Sequence, residues 1–163
     1  MATPNANKTL ARRYFLELLN AVNEKSAYEL LSDDFIFTLP THPEPFHGPD
    51  GFIGLAKMLH GSFPDFYIFP ADMVAGDDWV ITRWRGGGTH TGTPLVTIKG
   101  DISANGQSFE IDRMTGHTFN IVKSVESIGH EDTLGLLFQL GVIPSPPAAP
   151  PVTTSEQNIA LAL

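Results

Sequence analysis

The sequence predicts an α+β fold, with helices first and a meandering antiparallel sheet after them. Three observations support that reading. Apolar residues recur at helical spacing between Leu10 and Val22 and again before His60. Beyond Asp65 the chain changes to β-rich runs broken by turn signals. The order is helices and then strands, which is α+β rather than a succession of βαβ units.

In "NKTLARRYFLELLNAVNEKSAYELL", Leu10, Tyr14, Leu18, Ala21 and Val22 follow the i, i+4, i+8 spacing of an amphipathic helix, with Asn7 or Thr9 as its cap. A short second helix is predicted over 26–31, after a break near Asn23. "FIFTL", residues 35–39, reads as a strand stopped by Pro40, Pro43 and Pro45. "GPDGFIGLAKMLHGSF" opens on a Pro49-Asp50-Gly51 turn and continues as a helix to about His60. Strands follow in "DFYIFPADMVA", "WVITRWRGGGTHTG", "TPLVTIKGDISA", "QSFEIDRMTGHTFNI" and "KSVESIGHED", with turns at Gly76-Asp77-Asp78 and Asn105-Gly106. Asn-Gly between β-rich runs is the strongest hairpin signal in the chain. Residues 1–143 read as one domain and 144–163 as a tail. The tail carries five prolines between Pro144 and Pro151, so it is expected to be extended before a short apolar end.

A chain of 163 residues is long enough to bury about 68–70% of its unfolded surface, and so to enclose a cavity. Its 18 acids against 10 bases give a formal charge of −8 with no Lys/Arg-rich run. Nucleic acid and anionic membranes are therefore not expected as partners. The absence of cysteine excludes disulfides, thiolate nucleophiles and thiolate metal sites, and fits a reducing compartment. With no secretory apolar stretch and no apolar run of about eighteen residues, a soluble cytoplasmic protein is expected. The six histidines, at 42, 47, 60, 90, 117 and 130, form no H-x-H or H-x-x-x-H pair, so no metal is expected. Gly86-Gly87-Gly88 lacks the ending of a phosphate loop, and no G-x-S-x-G elbow is present.

"SDDFIF", "GPDGFIGLAKMLHGSFPDF", "MVAGDDWVITRW", "GTHTG" and "EDTLGLLFQLG" occur in this order and at suitable spacing. Together they make the chain, from about Ala11 to Pro144, resemble the SnoaL-like polyketide cyclase and ester-cyclase proteins of the nuclear-transport-factor-2-like superfamily. The resemblance implies a cone, a cystatin-like α+β barrel in which a curved sheet wraps around the N-terminal helices and leaves an apolar pocket. It also implies a homodimer, a small hydrophobic substrate and no cofactor. The chain departs from the family pattern at Phe37-Thr38, at Ile128 and at "NIVKS", so its pocket is re-lined.

In a strand, residues two apart share a face, so Glu126, Ile128, His130 and Asp132 have one parity. The resemblance puts that parity inward, which makes Asp132 and Glu126 candidate proton-transfer groups in an apolar pocket. Burial of that kind can raise a carboxyl pKa by about 3–5 units. His90 follows three glycines that permit a bulge, and His117 alternates with Thr115 and Phe119 on its strand. Both are further catalytic candidates. Tyr14, Phe37, Trp84, Arg113, Ile128 and His130 are the candidate substrate contacts.

These parts suit a cofactor-independent cyclase or isomerase that closes a ring in a polyketide or terpenoid intermediate. Either an intramolecular aldol reaction or epoxide opening to a cyclic ether would use general acid/base groups held in the pocket. Two alternatives are an epoxide hydrolase, with Asp112, Arg113 and Asp132 handling water, and a non-catalytic ligand-binding or dimerisation module. The module requires Asp132 and Glu126 to face solvent.

Overall fold

The computed structural model describes residues 3–97, 100–130 and 132–144, and the expectations for the tail beyond Pro144 lie outside the described residues. Helix α1, Pro4–Arg13, starts with a proline and is capped by Thr3, whose hydroxyl accepts the Ala6 N–H at 3.2 Å. The helix therefore begins before the expected caps. Asn7 is buried inside it and donates its side-chain amide to the Asp77 carbonyl at 2.9 Å. At Tyr14 the chain widens into a π-helical segment, Tyr14–Asn20, where one continuous α-helix was expected. The wider turn brings two adjacent pairs, Tyr14/Phe15 and Leu18/Leu19, to the buried side. Such segments are frequent at functional sites. Val22 then ends the helix with φ +48°, a strained value for a β-branched residue, while the Asn23 N–H closes on the Glu17 carbonyl.

Asn23 caps α2, Glu24–Leu30, which runs directly into β1, Leu31–Thr38. A two-residue strand β2, Phe46–His47, precedes α3, Gly48–Ser62. The end of α3 is closed from outside, because Thr93 N–H and Gly92 N–H donate to the carbonyls of Gly61 (2.8 Å) and Ser62 (3.1 Å). A Cβ on Gly92 would collide with the Gly61 carbonyl, so glycine is required at that contact.

The long strands are β3, Tyr67–Ala75, β4, Trp79–Thr89, β5, Ser108–Asn120, and β6, Lys123–His130, followed by helix α4, Thr133–Gln139. They form one sheet in the order β2-β1-β6-β5-β4-β3. Pairing is antiparallel apart from β1 with β6, which are parallel and joined through α3 and the rest of the meander. Register shifts interrupt β1 between Leu31 and Ile36, β3 between Pro70 and Asp72, and β5–β6 between Thr118 and Phe119. Bulges of this kind bend strands, and here the bent sheet curves around the helices without closing. The exposed edge of β3 is partly occupied, because the Asn20 amide both donates to and accepts from the backbone of Ile68, each at 2.8 Å.

The strand expected in "TPLVTIKGDISA" is replaced, among the described residues, by a loop with one bridge, Leu95 to Ile102. Its apolar residues are spent on packing instead: buried Leu95 joins Phe63, Phe109, Ile111 and Leu140 in a cluster. The Asn105-Gly106 turn exists, with both N–H groups donating to the His90 carbonyl. It closes that loop rather than a tight hairpin. A second cluster, built on Tyr14, Phe15, Phe35, Phe52 and Leu55, adjoins the first through Phe66 and Trp84. Among the described residues, no helix is long and apolar enough to cross a membrane.

Candidate active site

Between these two clusters the curved sheet encloses a cavity of about 590 Å³. Leu19 and Tyr14 of the π-segment, Leu55 and Leu59 of α3, and Phe37, Ile68 and Ile111 of the sheet form its walls. Its mouth is framed by the Leu39–His42 turn, the Leu95–Ile102 loop, and Leu136, Leu137 and Ile143 of the α4 region. A cavity of this volume, mostly apolar with a few polar groups, is the usual form of a small-molecule site.

On β5 the inward column runs Phe109, Ile111, Arg113, Thr115, His117, Phe119. Apolar residues hold its two ends, and the middle is polar. Arg113 is buried, with its guanidinium 5.8 Å from the centre of the Trp84 ring. The Trp84 indole N–H donates to the Thr115 hydroxyl at 2.9 Å, which fixes the ring in the cavity wall. Tyr14 packs edge-on to His117, 4.6 Å between ring centres, and its hydroxyl is buried near that of Ser127. Burial pushes the Tyr14 phenol well above its ordinary pKa, with Ser127 a smaller opposing influence. It is a neutral donor at any physiological pH.

His117 lies behind this wall, not in it. Its Nδ1 is 2.8 Å from the Ser127 hydroxyl, and burial pushes its pKa down to about 3. It is therefore a neutral ring that supports Tyr14 and Phe15. His90 is wholly buried but also outside the cavity wall. Its ring packs on Phe63 and places Nε2 3.2 Å from the Thr93 carbonyl, while its backbone organises the Asn105-Gly106 turn.

The expected inward face of β6 is reversed. Ser124 points inward, but the register shift opposite Thr118/Phe119 leaves Val125 as an extra residue, and parity inverts after it. Ser127 and Gly129 consequently face inward, whereas Glu126, Ile128 and His130 lie exposed on the outer face. Glu126 and Ile128 flank a shallow outer groove with Trp79, Ile81 and Gly116. Asp132 is also exposed. Its carboxylate caps α4 by accepting the Gly135 N–H at 2.8 Å, and it is absent from the cavity wall. Asp112 is on the outer face too, paired with Arg85 at 3.2 Å, so the water-handling group Asp112, Arg113 and Asp132 is not assembled. Of the expected site residues, Tyr14, Phe37, Trp84 and Arg113 line the cavity together.

A family model described as SnoaL-like polyketide cyclase matches residues 9–140. The chain belongs to the SnoaL-like polyketide cyclase family. Among solved structures, a protein from Jannaschia sp. CCS1 provisionally described as a SnoaL-like polyketide cyclase superposes with a TM-score of 0.74 at 18% identity, covering 88% of this chain and 97% of its own. A wild-type protein from Streptomyces antibioticus, provisionally described as a polyketide cyclase, has a TM-score of 0.66 at 26% identity, covering 83% and 98%. A protein of ketosteroid isomerase-like fold from Catenulispora acidiphila, solved with trimethylamine, superposes at 0.65 with 12% identity, covering 85% and 94%. No curated protein sequence is similar enough to count as a relative. Family and neighbours support a cyclase role in general terms.

Sequence reasoning missed one residue of this SnoaL-like cavity and one behind its wall. Ser127, the partner of His117 behind the wall, is hidden by the parity inversion, which no residue type announces. His42 lines the mouth, and the sequence reading considers it only as a metal ligand. The Leu39-Pro40-Thr41-His42 order, a strand end followed by proline, was the available signal that a turn presents it.

Proposed function

We propose that the cavity closes a ring in an apolar polyketide or terpenoid intermediate without a cofactor, by intramolecular aldol addition or by epoxide opening. One observation carries the reading. The buried Tyr14 phenol shares the cavity wall with the buried guanidinium of Arg113. Negative charge that develops on a substrate oxygen would be met there by a neutral O–H donor and a guanidinium in a dry, low-dielectric setting. The apolar walls would fold the chain so that its two reacting ends meet, an effect worth about 7–11 kcal/mol at best.

The test is the turnover of a linear pathway intermediate by Tyr14→Phe. Loss of one such donor is expected to lower kcat about 10²–10³-fold with little change in substrate affinity. An unchanged kcat would remove the phenol from the mechanism.

A second reading, ligand binding without catalysis, is favoured by one observation: Asp132 and Glu126 both face solvent. Tight binding of the intermediate with no ring closure by the wild-type protein would decide for it. We also propose that two copies pair through the outer face of the sheet. Val74, Ile81, Gly116 and Ile128 are consecutive partners across four strands there and form an exposed apolar row beside Trp79 and Met114.

A further inference from the structure

The proposed ring closure needs a group that removes a proton, and no predicted catalytic residue reaches the cavity. Among the described residues of its wall, the side chains able to exchange a proton or carry charge are Tyr14, His42, Asp101 and Arg113. The guanidinium does not give up its proton in proteins. The buried Tyr14 phenol is held protonated and acts as a donor. Asp101 is exposed on the rim loop, where bulk water competes for its lone pairs. His42 remains.

Its setting is that of a fixed side chain. The His42 N–H donates to the Leu39 carbonyl at 3.1 Å, closing a β-turn with Pro40 at its second position, and Pro43 fixes the exit. The imidazole packs against Phe46, 4.9 Å between ring centres, and its Nδ1 is 3.4 Å from the Thr41 hydroxyl. Leu39 anchors the turn to β6 by filling the space above Gly129, where a Cβ would collide with it. The ring is half-buried, so it is shielded from bulk water and still open to a ligand.

We propose that His42 is the catalytic base of this site and accepts a proton from a carbon flanked by carbonyl groups in the bound substrate. The inference rests on the ring-closure reading. As the C–H bond breaks, its electron pair moves into the enolate, whose oxygen is held by Tyr14 and Arg113. The enolate carbon then attacks a second carbonyl of the same molecule. The alkoxide formed takes the proton back from the imidazolium, so substrate and product are isomers. The substrate class is therefore an apolar β-dicarbonyl chain that carries its electrophilic carbonyl within the same molecule. The reaction that supplies it must be one that leaves such carbonyls unreduced.

Among the described residues, several charged and titratable groups stand on the cavity wall or on elements near His42. Tyr14, Asp101 and Arg113 share the cavity wall. Glu44 on its own loop and His47 on β2 are exposed, Lys57 on α3 is exposed and paired with Glu24, and His60 is bonded to the Leu19 carbonyl.

The experiment uses the full chain and benzoylacetone, an aryl β-diketone, as the probe. Binding is followed by tryptophan fluorescence, and exchange of the central C–H for deuterium by NMR across mildly acidic to neutral pD. The wild-type protein is expected to accelerate exchange, with a rate that rises with pD. His42→Gln should bind benzoylacetone as before, exchange it about a hundredfold or more slowly, and lose that pH dependence. His42→Ala should recover exchange when free imidazole is added, a response that a merely structural role would not give. If His42→Gln exchanges at the wild-type rate or keeps the pH profile, the assignment of His42 is overturned while ring closure stands. If the wild-type protein binds the diketone without accelerating exchange, the aldol form of the ring-closure reading is overturned and this inference with it.

Discussion

His117 shows how much a single position can depend on what surrounds it. It was expected as a proton-transfer group because it alternates inward on β5, and it does point inward. Yet full burial behind Tyr14 and Phe15 holds it neutral, with its pKa pushed down to about 3. An unfolded chain protonates this ring below about 6.5. Between that value and about 3 the unfolded state therefore binds more protons than the folded one, and stability must fall as pH drops through this window. The expected slope from this residue is about 1.4 kcal/mol per pH unit. Urea unfolding at pH 7.5 and pH 5 measures it, and in His117→Gln the difference should shrink by about 2 kcal/mol, that slope acting over the 1.5 units between about 6.5 and 5. An equal acid sensitivity in the variant would contradict the neutral, buried assignment. Inward residue identity was legible in the sequence here; the depth that decides its chemistry was not, because it comes from the π-segment packed above it.

At the scale of the element, the stretch from Glu126 to Gly135 held the largest departure from expectation. The strand was read in the right place, while helix α4 was not predicted. The facing of the strand's last residues was misread, because the extra residue at Val125 reverses Ser127, Ile128, Gly129 and His130. The same stretch also explains the Asp132-Thr133-Leu134-Gly135 order in local terms. Asp132 caps α4, and a Cβ on Gly135 would collide with the Asp132 carboxylate. Asp132→Asn, which preserves a good cap, is expected to leave both turnover and stability nearly unchanged. Asp132→Ala should cost about 1 kcal/mol in chemical denaturation. A large loss of turnover in the asparagine variant would return Asp132 to the mechanism. The Leu95–Ile102 segment was misread for a related reason: its alternating apolar residues satisfy a strand pattern, but buried Leu95 packs with Phe63 and Phe109 at the cavity mouth. Local pattern cannot distinguish those outcomes, and tertiary contact decides between them.

For the whole molecule, the α+β order and the curved sheet were legible because period-3.6 and period-2 patterns occupy separate parts of the chain. The pocket was legible through the family resemblance, and so were the contributions of Tyr14, Phe37, Trp84 and Arg113 to its wall. What lay outside sequence reach was the division between the two faces of the sheet, which sends Glu126, Ile128 and His130 to the outer one. That outer row predicts that the protein sediments at twice the mass of its chain. Ile81→Glu combined with Ile128→Glu should yield monomers that retain the fold, and a wild-type protein monomeric at micromolar concentration would contradict the pairing.

The central claim is that chemistry takes place on a ligand held inside the hollow between the sheet and the π-segment. The most direct measurement is turnover by Ile111→Trp, in which an indole on the cavity side of the Phe63 and Phe109 cluster would occupy the space beside Arg113. The account predicts a variant that unfolds at nearly the wild-type temperature and has lost ring closure together with substrate binding. A folded Ile111→Trp protein that turns over its substrate at the wild-type rate would place the reaction elsewhere.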